Sequence, residues 1–223
     1  MYTTVDLLPS QKGLDALYVD IENYYSERVR TYGATPLGVD WTCVPTQQLR
    51  FVQLLKLCSF RRTAFSLNDL GCGYGALKHF LSDRYPRSRI DYLGVDISPL
   101  MIEEARRLWK AHDNTKFVIA DTSPRVADYS VASGIFNVRL YQPLDLWMQF
   151  IEQTLTNLHA TSRLGFAVNF LTQLPSGITA RPELYRSLPE TWALYCTQKF
   201  NSRVKILENY GLREFSLLVK PRL

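Results

Sequence analysis

Phe65-Ser66-Leu67-Asn68-Asp69-Leu70-Gly71-Cys72-Gly73-Tyr74-Gly75 sets the architecture of this chain. The apolar run reads as a strand over 65–70, the glycines as a tight turn, and 75–84 as a helix. A strand that enters a glycine turn and then a helix brings bare backbone close to a ligand. The same grammar repeats downstream. Short apolar runs at 89–95, 115–120, 129–134 and 164–171 read as strands, and 98–112 and 143–160 read as helices. The first three strands lack the alternation of an open antiparallel sheet, which suits strands covered on both faces. Repeated β-α-β units imply an α/β, Rossmann-like, doubly wound, mostly parallel sheet. A short helix at 189–199 precedes a strand, turn and strand over 203–220, with Asn209-Tyr210-Gly211 at the turn. That hairpin completes a seven-stranded sheet with an antiparallel C-terminal strand. Residues 172–190, with Pro175, Gly177, Pro182 and Pro189, read as a loop inserted after the fifth strand.

Upstream of the first strand the pattern is helical. Leu14, Leu17, Tyr18, Ile21, Tyr24, Tyr25 and Val29 form an amphipathic stripe over 14–32, ended by Gly33. A loop carrying Pro36, Gly38 and Trp41 follows. Pro45-Thr46 opens a second helix to about Ser59, with Thr46 as its N-cap. Residues 1–62 are therefore expected to form an N-terminal helical lid segment, and 63–223 the Rossmann-like domain. The lid segment cannot bury its apolar stripe alone. It should pack over the crevice at the carboxyl ends of the strands, where open α/β sheets bind ligands.

Composition narrows the function classes. The chain has 223 residues, 46% hydrophobic and 21% charged, the range of a soluble globular protein. Its net charge is +5, but Lys and Arg are scattered, with Arg61-Arg62 and Arg106-Arg107 the longest basic runs. No nucleic-acid partner is expected. No stretch approaches 18 apolar residues, so no membrane partner is expected either. Cys43, Cys58, Cys72 and Cys196 show no CxxC spacing, so no metal site is expected. The start, MYTTVDLLPS, lacks the features of a signal peptide. The expected setting is cytoplasmic.

Gly71, Gly73 and Ala76 also fit the dinucleotide pattern G-x-G-x-x-G/A, which leaves a nicotinamide-dependent dehydrogenase as an alternative. Three acids favour another ligand. Asp69, two residues before the first glycine, opposes a pyrophosphate and suits an ammonium group. Asp96 closes the second strand, where an acid can accept both ribose hydroxyls. Asp121 closes the third strand, where it can meet the amino edge of an adenine. A nucleoside bearing an amino acid and no phosphate fits all three. That ligand is S-adenosylmethionine.

The chain resembles class I S-adenosylmethionine-dependent methyltransferases. The matching stretches are N-D-L-G-C-G-Y-G (68–75), Y-L-G-V-D-I-S-P-L-M (92–101), F-V-I-A-D-T (117–122) and D-Y-S-V-A-S-G-I-F-N-V (128–138). The resemblance covers about 65–220. The segments Y-G-A-T-P-L-G-V-D-W (32–41) and Q-Q-L-R-F (47–51) are similar to a broad bacterial branch of that superfamily. The resemblance implies that Asp69 meets the methionine ammonium and that Gly71, Cys72, Gly73 and Gly75 line the methionine moiety. It implies that Asp96 holds the ribose, with Ile97 and Met101 flanking the adenine. It places Asp121 and Thr122 at the adenine edge, and Ser133 and Gly134 near the sulfonium. Asp96 and Ser98 are also candidate N-caps for the following helix, Asp121 a turn residue, and Met101 a packing residue.

Methyl transfer is an in-line displacement, so alignment and dryness count for more than acid–base groups. A base is needed only for a protonated nucleophile. His79, His112 and His159 fall at the edges of the fold. Asn137, after the fourth strand, is the polar group best placed to face the reacting centre, and Tyr141 follows it. Asn169, within an apolar strand, is either a satisfied core amide or a ligand contact. Tyr24, Trp41 and Tyr185 are candidates for the mouth, where ring faces stabilise cations. Tyr18 and Tyr25 read as packing. The expected activity is methyl transfer to a small-molecule substrate. Intramolecular cyclisation of S-adenosylmethionine to azetidine-2-carboxylate, and a binding module without turnover, are the alternatives.

Overall fold

The computed structural model describes residues 11–60, 64–110 and 112–222. The opening residues 1–10, the Arg61-Arg62 pair and the 62/63 boundary lie outside them. The helices are α1 (Gln11–Tyr32), α2 (Val44–Leu55), α3 (Ala76–Arg84), α4 (Pro99–Leu108), α5 (Leu144–Ala160) and α6 (Pro189–Lys199). The strands are β1 (Ala64–Leu70), β2 (Arg89–Asp96), β3 (Thr115–Ile119), β4 (Ala127–Ala132), β5 (Ser162–Thr172), β6 (Arg186–Ser187), β7 (Ser202–Leu207) and β8 (Glu214–Pro221). They form one sheet in the order β3-β2-β1-β4-β5-β8-β7, with β6 paired to the end of β5. Strands β1 to β5 run parallel, and β8 is antiparallel to both β5 and β7. The fold is the expected mixed α/β sheet, with β6 as an added two-residue strand.

Burial on both sheet faces explains the unbroken apolar runs. Leu67, Tyr92, Val131 and Ala167 face a core built with Phe51 and Leu54 of α2, Leu77 and Phe80 of α3, and Ile102 of α4. Leu70, Val95, Val168 and Leu217 face a second core. That core includes Leu14 and Leu17 of α1, Trp147 and Ile151 of α5, and Trp192 of α6. Each fully buried Leu contributes roughly 1.5–3 kcal/mol by leaving water. The apolar stripe of α1 is thus spent on α5, with Tyr18 edge-on to Phe150 at 5.7 Å.

Several boundaries differ from the sequence reading by a few residues, among them those of α2, α4 and β4. Helix α2 starts at Val44, after Cys43, and Thr46 lies inside its first turn, where its hydroxyl donates to the Cys43 carbonyl at 3.0 Å. Thr46 is therefore not the N-cap; proline at the second helical position lets the helix start earlier. Helix α4 ends at Leu108 rather than 112. Strand β4 ends at Ala132, because Gly134 takes φ +81° and turns the chain out of the sheet. Ser98, not Asp96, caps α4: its hydroxyl accepts from the Met101 N–H at 3.2 Å.

Candidate active site

A cavity of about 300 Å³ opens at the carboxyl ends of β1, β2 and β4. Helix α1, the turn at 39–42 and the loop around 181–184 form its other walls. The glycine turn shapes one wall. Gly71 has φ +72°, and a Cβ there would stand 2.1 Å from Ile135 Cγ2, so only glycine lets the loop after β4 close on it. The Gly71 and Cys72 N–H groups donate to the Val95 carbonyl at 2.8 and 3.0 Å, which fixes the turn to β2.

Asp69 is 2% exposed in this wall and accepts a hydrogen bond from the Tyr92 hydroxyl. Burial raises its pKa to about 7; the Tyr92 bond opposes that and the charge of Asp96 adds to it. Asp96 accepts from Gly73 N–H at 2.8 Å and from Ser98 N–H at 2.9 Å. Its pKa is raised by burial against those backbone donors. Asp96 thus holds the glycine turn to the start of α4 while facing the cavity. Ile97, Met101 and Asp121 share this wall. Cys72 is buried there, and burial pushes its thiol well above the ordinary range, so it is no thiolate nucleophile.

On the opposite wall Tyr24 donates to Asp40 at 2.6 Å, and Asp40 takes Arg28 at 2.8 Å. Burial and the Asp40 bond both raise the Tyr24 pKa. Trp41 lies over the Arg50 guanidinium, with 3.8 Å from its carbon to the ring centroid. Gly134 packs beneath the same ring: a Cβ there would approach within 2.3 Å of Trp41. Arg50 Nε donates to Glu214 at 2.7 and 2.9 Å, and its Nη2 also bonds Glu214. Glu214 accepts from Asn169 at 3.0 Å, and Asn169 accepts from Gly134 N–H at 2.8 Å. Trp41, Arg50, Glu214, Asn169 and Gly134 therefore form a closed circuit of contacts. The sequence reading missed Arg50 and Glu214, which lie 164 residues apart.

Asn137 is 4% exposed on the cavity wall, and neither its Oδ1 nor its Nδ2 has a hydrogen-bond partner. The Ser133 hydroxyl is likewise buried and unpartnered. Such groups cost stability unless something bonds to them.

The cavity gathers Tyr24, Trp41, Asp69, Gly71, Cys72, Gly73, Asp96, Ile97, Met101, Asp121, Ser133, Gly134 and Asn137. Five expected residues are off its wall. Gly75 precedes α3, where a Cβ would meet Trp109 and Phe117, so its role is packing. Thr122 is exposed and donates to Asp121 at 3.2 Å. Tyr141 is 84% exposed, in the turn before α5. Tyr185 is buried against α5 and α6, accepting from Trp192 Nε1 at 3.1 Å. Asn169 is the satisfied core amide of the circuit, one side chain behind the wall. Among the described residues, no histidine lines the cavity, no metal-holding cluster of His, Cys, Asp or Glu forms, and no helix is long and apolar enough to cross a membrane.

A family described as Methyltransferase domain matches residues 68–165. The putative methyltransferase Rv1506c of Mycobacterium tuberculosis is 44% identical over 156 residues, covering 70% of this chain and 93% of that protein. The chain belongs to the methyltransferases. Among solved structures, the fold of this methyltransferase is similar to that of magnesium protoporphyrin IX methyltransferase from Synechocystis PCC 6803 with bound S-adenosylhomocysteine. That likeness has a TM-score of 0.66 at 14% identity, over 92% of this chain and 99% of the other. It is also similar to N-methyltransferase NodS from Bradyrhizobium japonicum WM9 with S-adenosylhomocysteine, TM-score 0.62 at 16% identity, over 90% and 98%.

Proposed function

We propose that this methyltransferase moves the sulfonium methyl group of S-adenosylmethionine to a small-molecule acceptor held in the same cavity. The observation that carries the reading is the pair Asp69 and Asp96, buried side by side in one wall with no cationic side chain within ion-pair distance among the described residues. Buried carboxylates in that state favour a cationic ligand. Bound there, S-adenosylmethionine supplies an electrophilic methyl carbon.

In this reading Asp69 takes the ammonium group and Asp96 the ribose hydroxyls. The backbone of Gly71, Cys72 and Gly73 lines the methionine portion. Ile97 and Met101 flank the adenine, and Asp121 meets its amino edge. Ser133 and Gly134 lie beside the sulfonium. Residues 11–60 act as the lid: Tyr24 and Trp41 cover the cavity, and α1 is anchored by the hydrogen bond that Ser26 and Ser98 share at 2.8 Å. The lid excludes water and holds the acceptor in line, which is where the rate gain arises. An uncharged nucleophile with a free lone pair needs no base before it attacks, in keeping with a wall that carries no histidine among the described residues. The free cysteines Cys43, Cys58, Cys72 and Cys196 support a reducing, cytoplasmic setting.

The test is a calorimetric titration with S-adenosylhomocysteine, with cofactor fate followed by mass spectrometry. Wild type should bind, and Asp96→Ala should lose binding by at least about tenfold, the value of one hydrogen bond to a charged group. Incubation with S-adenosylmethionine alone should leave it intact. Unchanged affinity of Asp96→Ala, or release of methylthioadenosine, would overturn the reading.

A further inference from the structure

The cavity is electrically divided. Its wall carries Asp40, Asp69, Asp96, Asp121, Glu183 and Glu214. At the ends of β1, β2 and β3, Asp69, Asp96 and Asp121 have no cationic partner among the described residues. On the lid side every acid already holds an arginine: Asp40 with Arg28 at 2.8 Å, Glu183 with Arg181 at 2.7 Å, and Glu214 with Arg50. Arg50 and Arg181, the wall cations, are both used in this way. Arg181 sits at the mouth with its side chain mostly in water, where such pairs are weak and add little to binding. A charged acceptor entering the lid side would have to break a pair or stay unpaired in a dry space, and both are costly.

The unmet demand in this region is for hydrogen bonds without charge. Asn137 offers one buried donor group and one buried acceptor, both unpartnered, and Ser133 adds a hydroxyl. Tyr24, Tyr25, Trp41 and Phe150 supply ring surface. We propose that the acceptor is an uncharged, flat molecule whose paired donor and acceptor groups meet the Asn137 amide. This rests on the methyltransferase reading and names the class of molecule that the lid side selects. Asn137 is a binding residue in this account, since no other group among the described residues bonds its side-chain amide.

Three near-isosteric probes test it: 2-hydroxybenzamide, uncharged; 2-hydroxybenzoate, anionic; and 2-(aminomethyl)phenol, cationic. Their binding is measured by calorimetry on wild type saturated with S-adenosylhomocysteine. Failure of S-adenosylhomocysteine to bind sinks the methyltransferase reading itself. With it bound, the uncharged probe should bind at least about tenfold more tightly than either charged one. A charged probe binding as tightly, or none binding at millimolar concentration, overturns the acceptor class. Asn137→Leu keeps the shape and removes both orphaned groups, so it should raise the melting temperature of the empty protein and weaken the uncharged probe at least about tenfold. A purely structural Asn137 would give a lower melting temperature and unchanged probe affinity, and that result overturns the role. Asn137→Ala, which cannot overpack, should weaken the probe by a similar factor. Full probe affinity in it also overturns the role.

Discussion

Asp69 links the charge state of the cavity to its occupant. Its carboxyl group titrates near 7 because burial disfavours the anion. In an unfolded chain the same group titrates near 3.9, so between these values the native empty protein keeps a proton that the unfolded chain releases. The contribution to stability is complete below about pH 4. It is lost as pH rises through 7, at about 1.4 kcal/mol per unit. An ammonium-bearing ligand reverses the preference and expels the proton. Affinity for S-adenosylhomocysteine should therefore fall by up to about tenfold per unit as pH drops below 7, and level off above it. Calorimetry in buffers of different ionisation enthalpy should show proton release at pH 6 and none at pH 8. Asp69→Asn should flatten the profile. This carboxylate was legible in the sequence because a strand end before a glycine turn has one possible place in the fold. Tyr92, which donates to it, was not. Nothing in its local pattern separates a core tyrosine from a ligand of a carboxylate 23 residues away.

Among the elements, α2 and β8 are joined by the Arg50–Glu214 pair. Removing one partner leaves a buried uncompensated charge, which costs about 3–5 kcal/mol, whereas replacing both with apolar groups is often neutral or favourable. Glu214→Gln should accordingly shift the urea midpoint well down. Arg50→Met combined with Glu214→Leu should recover most of it. Equal losses in the single and double variants would show that packing, not charge, dominates there. The strands and helices themselves were readable to within a few residues, because apolar periodicity and glycine turns are local signals. The start of α2 was misplaced because two N-terminal signals competed, a proline and a threonine, and proline at the second position prevailed. Tyr141 and Tyr185 were misassigned for a different reason. Their neighbours in sequence lie near the cavity, but the bridge between Val138 and Leu184 turns Tyr185 into the core, and Tyr141 projects into solvent.

For the whole molecule, the sheet separates two cores, and α1 belongs to one of them as fully as α5 does. Leu17 is completely buried there. Leu17→Ala should cost about 2–5 kcal/mol. At this chain length each kcal/mol lowers the melting temperature by about 2–4 °C, which differential scanning calorimetry reads directly. A loosely docked lid would instead leave the main transition unmoved. The circuit from Trp41 to Gly134 also has a consequence in time. Strand β8 is inserted between β5 and β7, and it brings Glu214 to an arginine made 164 residues earlier. At about 5–20 residues per second, a ribosome leaves Arg50 without its counter-ion for on the order of ten to thirty seconds. In the last part of that interval, once β5 has been made, its edge lies bare until β8 follows. Enclosure of the cavity therefore waits for residue 214, and the nascent chain is most open to misassociation just before that residue emerges.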